Sequence, residues 1–531
     1  MTPEFAYRTV QQTLLVLTPE ILLLAVAIAM MTASPFLRAA RARWCAVAAL
    51  ALGGSLLALL AGRDVAPDVY AGGVVNDALS FYARLFILLT GFVFLGLAHE
   101  EPSDERAPEF FGAFLMIQAG TMLVSASNDL ILLFIGLELV SIPTYLLLYL
   151  SRRTASTQEA ATKYFFLSVF ASALLLYGLT FLYGLTGTTN LKALSILTTL
   201  PYVPQVSLGL VAIVFVMAGL CFRVAAVPLH FYAPDVYQGS PVVIAAFLAW
   251  IPKAVGFLAM IRLLTAVFAF RGLEDPLVHK AVLLCWIIAL ATMTLGNSVA
   301  LLQTNLKRLF AYSSIAHAGY MMVGVTAAFA GGANASTLYY GVEGVLFYLV
   351  AYAFMTLGAF GVFLALRKAD GRGVATIDDL SGLGWTHPLL AFGLTLCLLS
   401  LTGFPFLAGF VGKFQLFASA LSATSGEGGG ALTLLAVLGM LNAAVGAFYY
   451  LRIIVLMYLG QAAEPLTRGG GWPVALATGT CAALSFILGL YPDPVARACR
   501  EAAIAANVRT APVAEPEQAP AVVADVASAR D

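Results

Sequence analysis

The sequence predicts an all-α polytopic membrane protein of about 14 transmembrane helices. Hydrophobic residues make up 61% of the chain and charged residues 11%, far from the roughly half and quarter typical of soluble domains. Apolar stretches near the length of about 20 residues that a helix needs to cross a bilayer core recur from end to end. None alternates polar and apolar side chains as the strands of a membrane barrel do.

Taken in order, the expected spans are 14–31, 44–62, 77–98, 109–125, 129–150, 163–186, 206–228, 242–270, 277–302, 308–330, 342–366, 388–420, 432–460 and 472–491. The first exceeds a usual signal-peptide core and is followed by further spans, so it is expected to remain as an anchor. The seventh runs into Ala225-Ala226-Val227-Pro228-Leu229-His230, and the twelfth contains Thr402-Gly403-Phe404-Pro405. Pro228 and Pro405 each remove a backbone donor and clash with the preceding turn, so both helices are expected to break at membrane depth. A matched pair of interrupted helices points to internal repeats with ion sites at the discontinuities, although prolines can also simply kink packed helices.

Their spacing, five spans apart, divides the chain into three N-terminal helices (1–108), a first five-helix repeat (109–271), a second, inverted five-helix repeat (272–462), a C-terminal helix (463–492) and a disordered tail (493–531). No strand is expected, so the glycine runs 428–430 and 469–471 are loops rather than a dinucleotide fingerprint.

With 28 basic and 28 acidic residues the net charge is zero, which gives no reason to expect nucleic acid as a partner. Basic residues cluster in the loops after odd-numbered spans, at Arg41/Arg43, Arg152/Arg153, Lys307/Arg308 and Arg367/Lys368. The opposite face, the tail apart, holds Arg8, Arg63, Lys192, Arg271 and Lys280. By the positive-inside bias both termini are expected on the outer, periplasmic face. Six cysteines form no C-x-x-C pair and fall mostly within apolar spans, which argues against iron–sulfur ligation and for small hydrophobes.

Ionisable groups inside a membrane are costly unless paired or hydrated, so each is a candidate functional residue. The candidates are Glu138, Lys163, Arg223, His230, Lys253, His317 and Lys413, with Glu343 near a span end and expected to be solvated. An acid on one helix and bases on the next few are what a proton relay requires, since moving a cation toward or away from a carboxylate switches its proton affinity. The structural alternatives are a fixed ion pair for Glu138 or Lys253, interfacial snorkelling for Lys163 and a helix-contact histidine at 230 or 317. No histidine or cysteine stands at metal-ligand spacing to either histidine.

Several stretches together resemble the antiporter-like membrane subunits of respiratory complex I (NADH:quinone oxidoreductase), in their subunit N form. They are Cys221-Phe222-Arg223-Val224-Ala225-Ala226-Val227-Pro228-Leu229-His230, continuing through Pro234-Asp235-Val236-Tyr237-Gln238-Gly239-Ser240-Pro241, then 306–317, Leu380-Ser381-Gly382-Leu383, and Gly403-Phe404-Pro405 through Gly412-Lys413-Phe414. The resemblance implies a bacterial inner-membrane subunit that couples quinone reduction elsewhere to proton movement. It implies a relay from Glu138 and the seventh-helix base through Lys253 and His317 to Lys413, supported by Lys163 and His230. It also implies partner membrane subunits of the L, M and K types and neighbouring small subunits, with NADH, FMN, iron–sulfur clusters and quinone bound by other chains and none by this one. The alternative it leaves is a subunit of a multisubunit cation/proton antiporter. One position departs from the family, which usually has lysine where this chain has Arg223. A guanidinium stays charged in proteins whereas a buried lysine can release its proton, so the relay here is expected to pass beside a fixed cation.

Overall fold

The computed structural model describes residues 3–151, 154–197, 206–268, 275–330, 335–423, 429–461 and 465–506. The N-terminal part comprises α1 (Pro3–Val16), α2 (Thr18–Ala33), α3 (Arg41–Ala61) and α4 (Ala78–Ala98). There follow α5 (Ala107–Ala126), α6 (Leu130–Ser151), α7 (Ala155–Thr186), α8 (Leu191–Leu197), α9 (Val206–Val224), α10 (Ala233–Gly239) and α11 (Val242–Phe268). The next group is α12 (Pro276–Ala300), α13 (Leu306–Ala330), α14 (Ala335–Leu364), α15 (Leu383–Thr386), α16 (Pro388–Thr402), α17 (Ala408–Ser422) and α18 (Gly429–Leu459). The chain closes with α19 (Gly471–Leu490) and α20 (Asp493–Ala506).

The bundle is layered by burial. In their most apolar stretches α11 and α14 are each 94% buried and α5 89%, while α7 and α18 reach only 39% and 28%. Helices hydrophobic all round therefore form the central row, and the outer helices present one face to their surroundings.

Among the described residues eleven helices are individually long and apolar enough to cross a membrane, or twelve with the bent pair α1–α2. Two of the fourteen expected spans thus fail on length or composition. The helix α13 is 25 residues long but carries His317, serines and tyrosines that lower its hydropathy. The twelfth expected span is divided into α16 and α17, of 15 residues each.

Three further expectations need correction. The first span is bent by 64° between α1 and α2, where Pro19, in the first turn of α2, has no N–H to carry the hydrogen bonds of α1 onward. Two short antiparallel strands, β1 (Leu366–Lys368) and β2 (Leu466–Arg468), join the loops after α14 and α18 where no strand was expected. The supposed disordered tail begins with α20, which buries Cys499, Ala502, Ala503 and Ala506 at helical spacing. Arg500 Nε lies 3.1 Å from Glu343 Oε2 on α14, and Tyr82 Oη of α4 donates to Glu501 Oε2 at 2.7 Å. Glu343, expected to be solvated, is only 4% exposed. Residues 507–531, and the orientation markers Arg152, Arg153 and Arg271, lie outside the described residues.

Glycine sets the closest helix approach. A Cβ on Gly296 would lie 2.6 Å from Ala316 N, and one on Gly319 would lie 2.5 Å from Met293 N, so α12 and α13 meet backbone to backbone. Two buried ion pairs tie the N-terminal helices inward. Arg84 Nε stands 2.8 Å from Glu20 Oε1, an ionic contact without hydrogen-bond alignment. Arg262 grips both Asp77 oxygens at 2.6 Å and also donates to Ser125 O.

Candidate functional site

Both sequence breaks coincide with ends of helix, and several freed backbone groups find side-chain partners. After α9 the chain leaves helical geometry, with Ala225 at φ 57° and a cis Val227–Pro228 peptide. Val227 N donates to Thr292 Oγ1 of α12 at 3.0 Å, and Phe222 O accepts from Tyr232 Oη at 2.9 Å. After α16, Gly403 adopts φ 90° and Phe406 φ 69°. There Gly409 N donates to Ser400 Oγ at 3.0 Å, and Lys413 Nζ donates to the carbonyls of Leu401 and Thr402, each at 2.9 Å. Lys413 thus caps the negative end of the helix that the break terminates. Gly409 is obligatory here, since a Cβ would lie 1.8 Å from Ser400 O.

The remaining candidates fall into separate clusters. Arg223 Nη2, at the end of α9, donates to Glu138 Oε1 of α6 at 2.7 Å and to Ser172 Oγ of α7 at 3.0 Å. Ser172 Oγ in turn donates to the same carboxylate oxygen. The Arg223 side chain is 3% exposed and that of Glu138 25%. Among the described residues Arg223 Nη1 has no hydrogen-bond partner, so one guanidinium nitrogen makes both bonds.

Lys163 does not open its span, because α7 begins eight residues earlier, at Ala155. Its side chain is 40% exposed, and its ammonium is held by Asp235 Oδ2 at 2.8 Å and Glu159 Oε1 at 2.7 Å. The other oxygen of Asp235 accepts from Arg308 Nη1 at 2.9 Å, so this carboxylate on α10 joins α7 to α13. His230 is half-buried in the first break, with Nδ1 unpartnered among the described residues and no side-chain bond to the other candidates.

Lys253 is 2% exposed on α11, with Nζ 5.9 Å from the centroid of the Tyr352 ring. One helical turn along, Gly256 permits contact with the Arg223 helix end, for a Cβ there would lie 2.5 Å from Val224 Cγ1 and 3.2 Å from Arg223 Cβ. His317, 1% exposed, sits between Tyr348 Oη at 2.5 Å from Nδ1 and Tyr450 Oη at 2.9 Å from Nε2. Tyr450 also bonds to Ser313 Oγ. Lys413 Nζ stands 4.9 Å from the centroid of the Tyr320 ring. Tyr320 Oη accepts from Asn297 Nδ2 at 2.8 Å, and Tyr449 Oη donates to Asn297 Oδ1 at 3.1 Å.

This shell of tyrosines, serines and asparagine escaped the sequence reading because tyrosine passes as apolar in a hydrophobic run. The available signal was polar side chains repeating within α13 and the adjacent pair Tyr449-Tyr450. Among the described residues no group of histidine, cysteine and carboxylate side chains could hold a metal ion. The arrangement offers an ion pair bridged by a serine, two buried amines and an imidazole bonded to two tyrosine hydroxyls, which are groups able to give and take protons.

Comparison with known proteins gives concordant results. The pattern of the family described as "NADH:quinone oxidoreductase/Mrp antiporter, TM" matches residues 127–439. The NADH-quinone oxidoreductase subunit N of Trichlorobacter lovleyi is 36% identical over 495 residues, covering 92% of this chain and 96% of that protein. A subunit N 1 of Solibacter usitatus is 39% identical over 452 residues, covering 83% and 86%. Among solved structures, a chain of respiratory complex I from Thermus thermophilus superposes with a TM-score of 0.74 at 30% identity, covering 91% of this chain and 99% of that one. A chain of the Mrp complex from Dietzia superposes with a TM-score of 0.77 at 20% identity, covering 94% and 98%, a likeness of fold alone.

Proposed function

Since the chain belongs to the NADH:quinone oxidoreductase/Mrp antiporter membrane family, we infer that it is a proton-translocating membrane subunit of an NADH:quinone oxidoreductase, of the subunit N type. It works within a complex of other membrane subunits and couples electron transfer elsewhere to proton movement. The observation that carries the reading is the series of buried charges at two helix breaks, in a chain similar over most of its length to subunit N proteins. Quinone, NADH, FMN and iron–sulfur clusters are assigned to partner chains, because the candidate groups here are acid, amine, guanidinium and imidazole.

In this reading Glu138 is the acid that takes and gives the proton, and Arg223 is the fixed cation whose approach holds it ionised. Ser172, bonded to both, is placed to follow the carboxylate when the pair opens. Lys253 and His317 pass the proton along the central row, and Lys413 ends the path at the second break. There its two carbonyl partners stabilise the charged amine until it discharges. Lys163 and Asp235 hold α7, α10 and α13 in register, and His230 supports the first break. The division into repeats at 109–271 and 272–462, flanked by 1–108 and 463–492, is the organisation that the two breaks favour. The basic loops favour both termini on the periplasmic face of a bacterial inner membrane.

The test is redox-driven proton pumping by the assembled complex in sealed vesicles. Glu138→Gln and Lys413→Met should assemble normally yet lose pumping and coupled turnover. If both pump as the wild type does, the buried charges are structural. The second reading, a subunit of a cation/proton antiporter, draws on the Mrp part of the family description and on the Mrp fold likeness. It predicts sodium-dependent proton exchange in vesicles given no electron donor.

A further inference from the structure

We propose that Tyr237, Ser314 and Tyr352 form a hydroxyl relay linking the α10 face of the protein to the Lys253–His317 centre, with Ser314 as its middle member. The proposal rests on the reading of the chain as proton-translocating, and it adds a branch to the path rather than restating it. Tyr352 Oη donates to Ser314 Oγ at 2.9 Å, and Ser314 Oγ lies 3.2 Å from Tyr237 Oη. The three residues come from α14, α13 and α10, are 1%, 1% and 3% exposed, and meet at one serine oxygen.

The ends of this chain of hydroxyls are what give it direction. Tyr237 lies in the last turn of α10, the detached segment beyond the first break, and the next residue, Gln238, is exposed. Lys307 Nζ donates to the carbonyls of Gln238 and Ser240, each at 2.6 Å, and pins that end of α10 against the start of α13. At the inner end, the Tyr352 ring lies 5.9 Å from Lys253 Nζ and 5.2 Å, centroid to centroid, from the His317 ring. The preceding residue on α13, Ser313, bonds instead to Tyr450, which reaches His317 Nε2. Two consecutive serines therefore serve different tyrosines around one centre.

A hydroxyl donates one hydrogen bond and accepts others, so the row can pass a proton without holding a net charge. A proton arriving at Tyr237 Oη releases that group's own proton to Ser314 Oγ. Ser314 releases its proton to Tyr352 Oη, and Tyr352 releases its own to the unprotonated amine of Lys253, which becomes the ammonium. Only O–H and N–H bonds are made or broken. Tyr352 donates back to Ser314, the orientation that an inward passage leaves, and reorientation of the three hydroxyls readies the row for the next proton. Because the basic residues Lys307 and Arg308 mark this face as cytoplasmic under the proposed orientation, the relay is an inlet.

The experiment measures protons moved per NADH oxidised, electron-transfer rate and the solvent deuterium isotope effect. It uses the assembled complex in sealed vesicles, for Tyr237→Phe, Ser314→Ala and Ser314→Thr, with Lys413→Met as reference. Phenylalanine fills the tyrosine site without a hydroxyl, and threonine keeps the serine hydroxyl. The expected result is that Tyr237→Phe and Ser314→Ala assemble, slow the proton-coupled rate by about tenfold with a larger isotope effect, and move fewer protons per NADH. Ser314→Thr should restore both. Normal pumping in Tyr237→Phe and Ser314→Ala, while Lys413→Met is defective, overturns the relay and leaves the functional reading intact. Normal pumping in Lys413→Met as well overturns both. Should Ser314→Ala fail to assemble, Tyr352→Phe carries the same expectation, and unchanged pumping there overturns the proposal.

Discussion

Replacing Arg223 separates the charge it supplies from the shape it fills. One nitrogen, Nη2, bonds to Glu138 at 2.7 Å and to Ser172 at 3.0 Å, while Nη1 is buried without a partner among the described residues. A lysine at 223 reproduces both bonds from Nζ and removes the unpartnered donor, whose burial costs about 1–3 kcal/mol. That gain offsets the shorter reach of lysine, so Arg223→Lys should change stability by less than about 1 kcal/mol and keep coupled turnover within about twofold. Arg223→Met removes the charge and leaves Glu138 without its counter-ion. Breaking a buried pair costs about 3–5 kcal/mol, and the 25% exposure of Glu138 reduces this to about 2 kcal/mol. Infrared difference spectra should then show a protonated-carboxyl band that Glu138→Gln abolishes, alongside loss of pumping. Arg223→Met that pumps normally and shows no such band would refute the assignment of Arg223 as the holding cation.

Further outcomes follow from geometry elsewhere. Gly409→Ala places a Cβ 1.8 Å from Ser400 O and should cost about 3 kcal/mol or more, seen as loss of the assembled subunit from membranes. Arg500→Ala should loosen α20 by up to about 1 kcal/mol, since Arg500 is 59% exposed, raising thiol labelling of buried Cys499 by up to about fivefold. In the loop after α14, Asp379 pairs with Lys368 at 2.8 Å and accepts from the N–H groups of Ala375 and Thr376 at 2.8 and 3.0 Å. Burial works to raise this carboxyl, but Lys368 and the two amides outweigh it and hold it below the ordinary range. A group depressed on folding adds stability that is full above its unfolded value, about 3.9, and is lost as pH falls through the folded one. Amide exchange at Ala375 and Thr376 should therefore be protected at neutral pH and lose that protection in acid, and Asp379→Asn should abolish the pH dependence.

The membrane helices were legible because apolar runs of spanning length are stable in few settings besides a bilayer, and the breaks because proline and glycine act on the backbone locally. What escaped was set by partners distant in sequence. Glu343 reads as a span-end carboxylate until Arg500, 157 positions away, covers it. The helix α20 is rich in alanine and charge, and its burial comes from α4 and α14 rather than from its own hydropathy. Lys163 reads as interfacial, yet two carboxylates on different helices hold it. Asp235 stood in a recognised motif without a visible role, because its bonds to Lys163 and Arg308 exist only once α7 and α13 flank α10. The tyrosine shell around His317 is drawn from α13, α14 and α18, and the i, i+4 pair Tyr348/Tyr352 and the adjacent Tyr449-Tyr450 point at one histidine only once those helices meet.

The glycine seam between α12 and α13 has a mechanical consequence. Backbones this close leave no slack for one helix to slide or roll against the other, so the two behave as a single stiff plank carrying His317, Ser313 and Ser314. A second seam, where a Cβ on Gly341 of α14 would lie 2.7 Å from Ala328 N of α13, ties α14 to the same unit. That leaves α18, which holds Tyr450 and meets its neighbours through side chains, as the looser wall of the cage around His317.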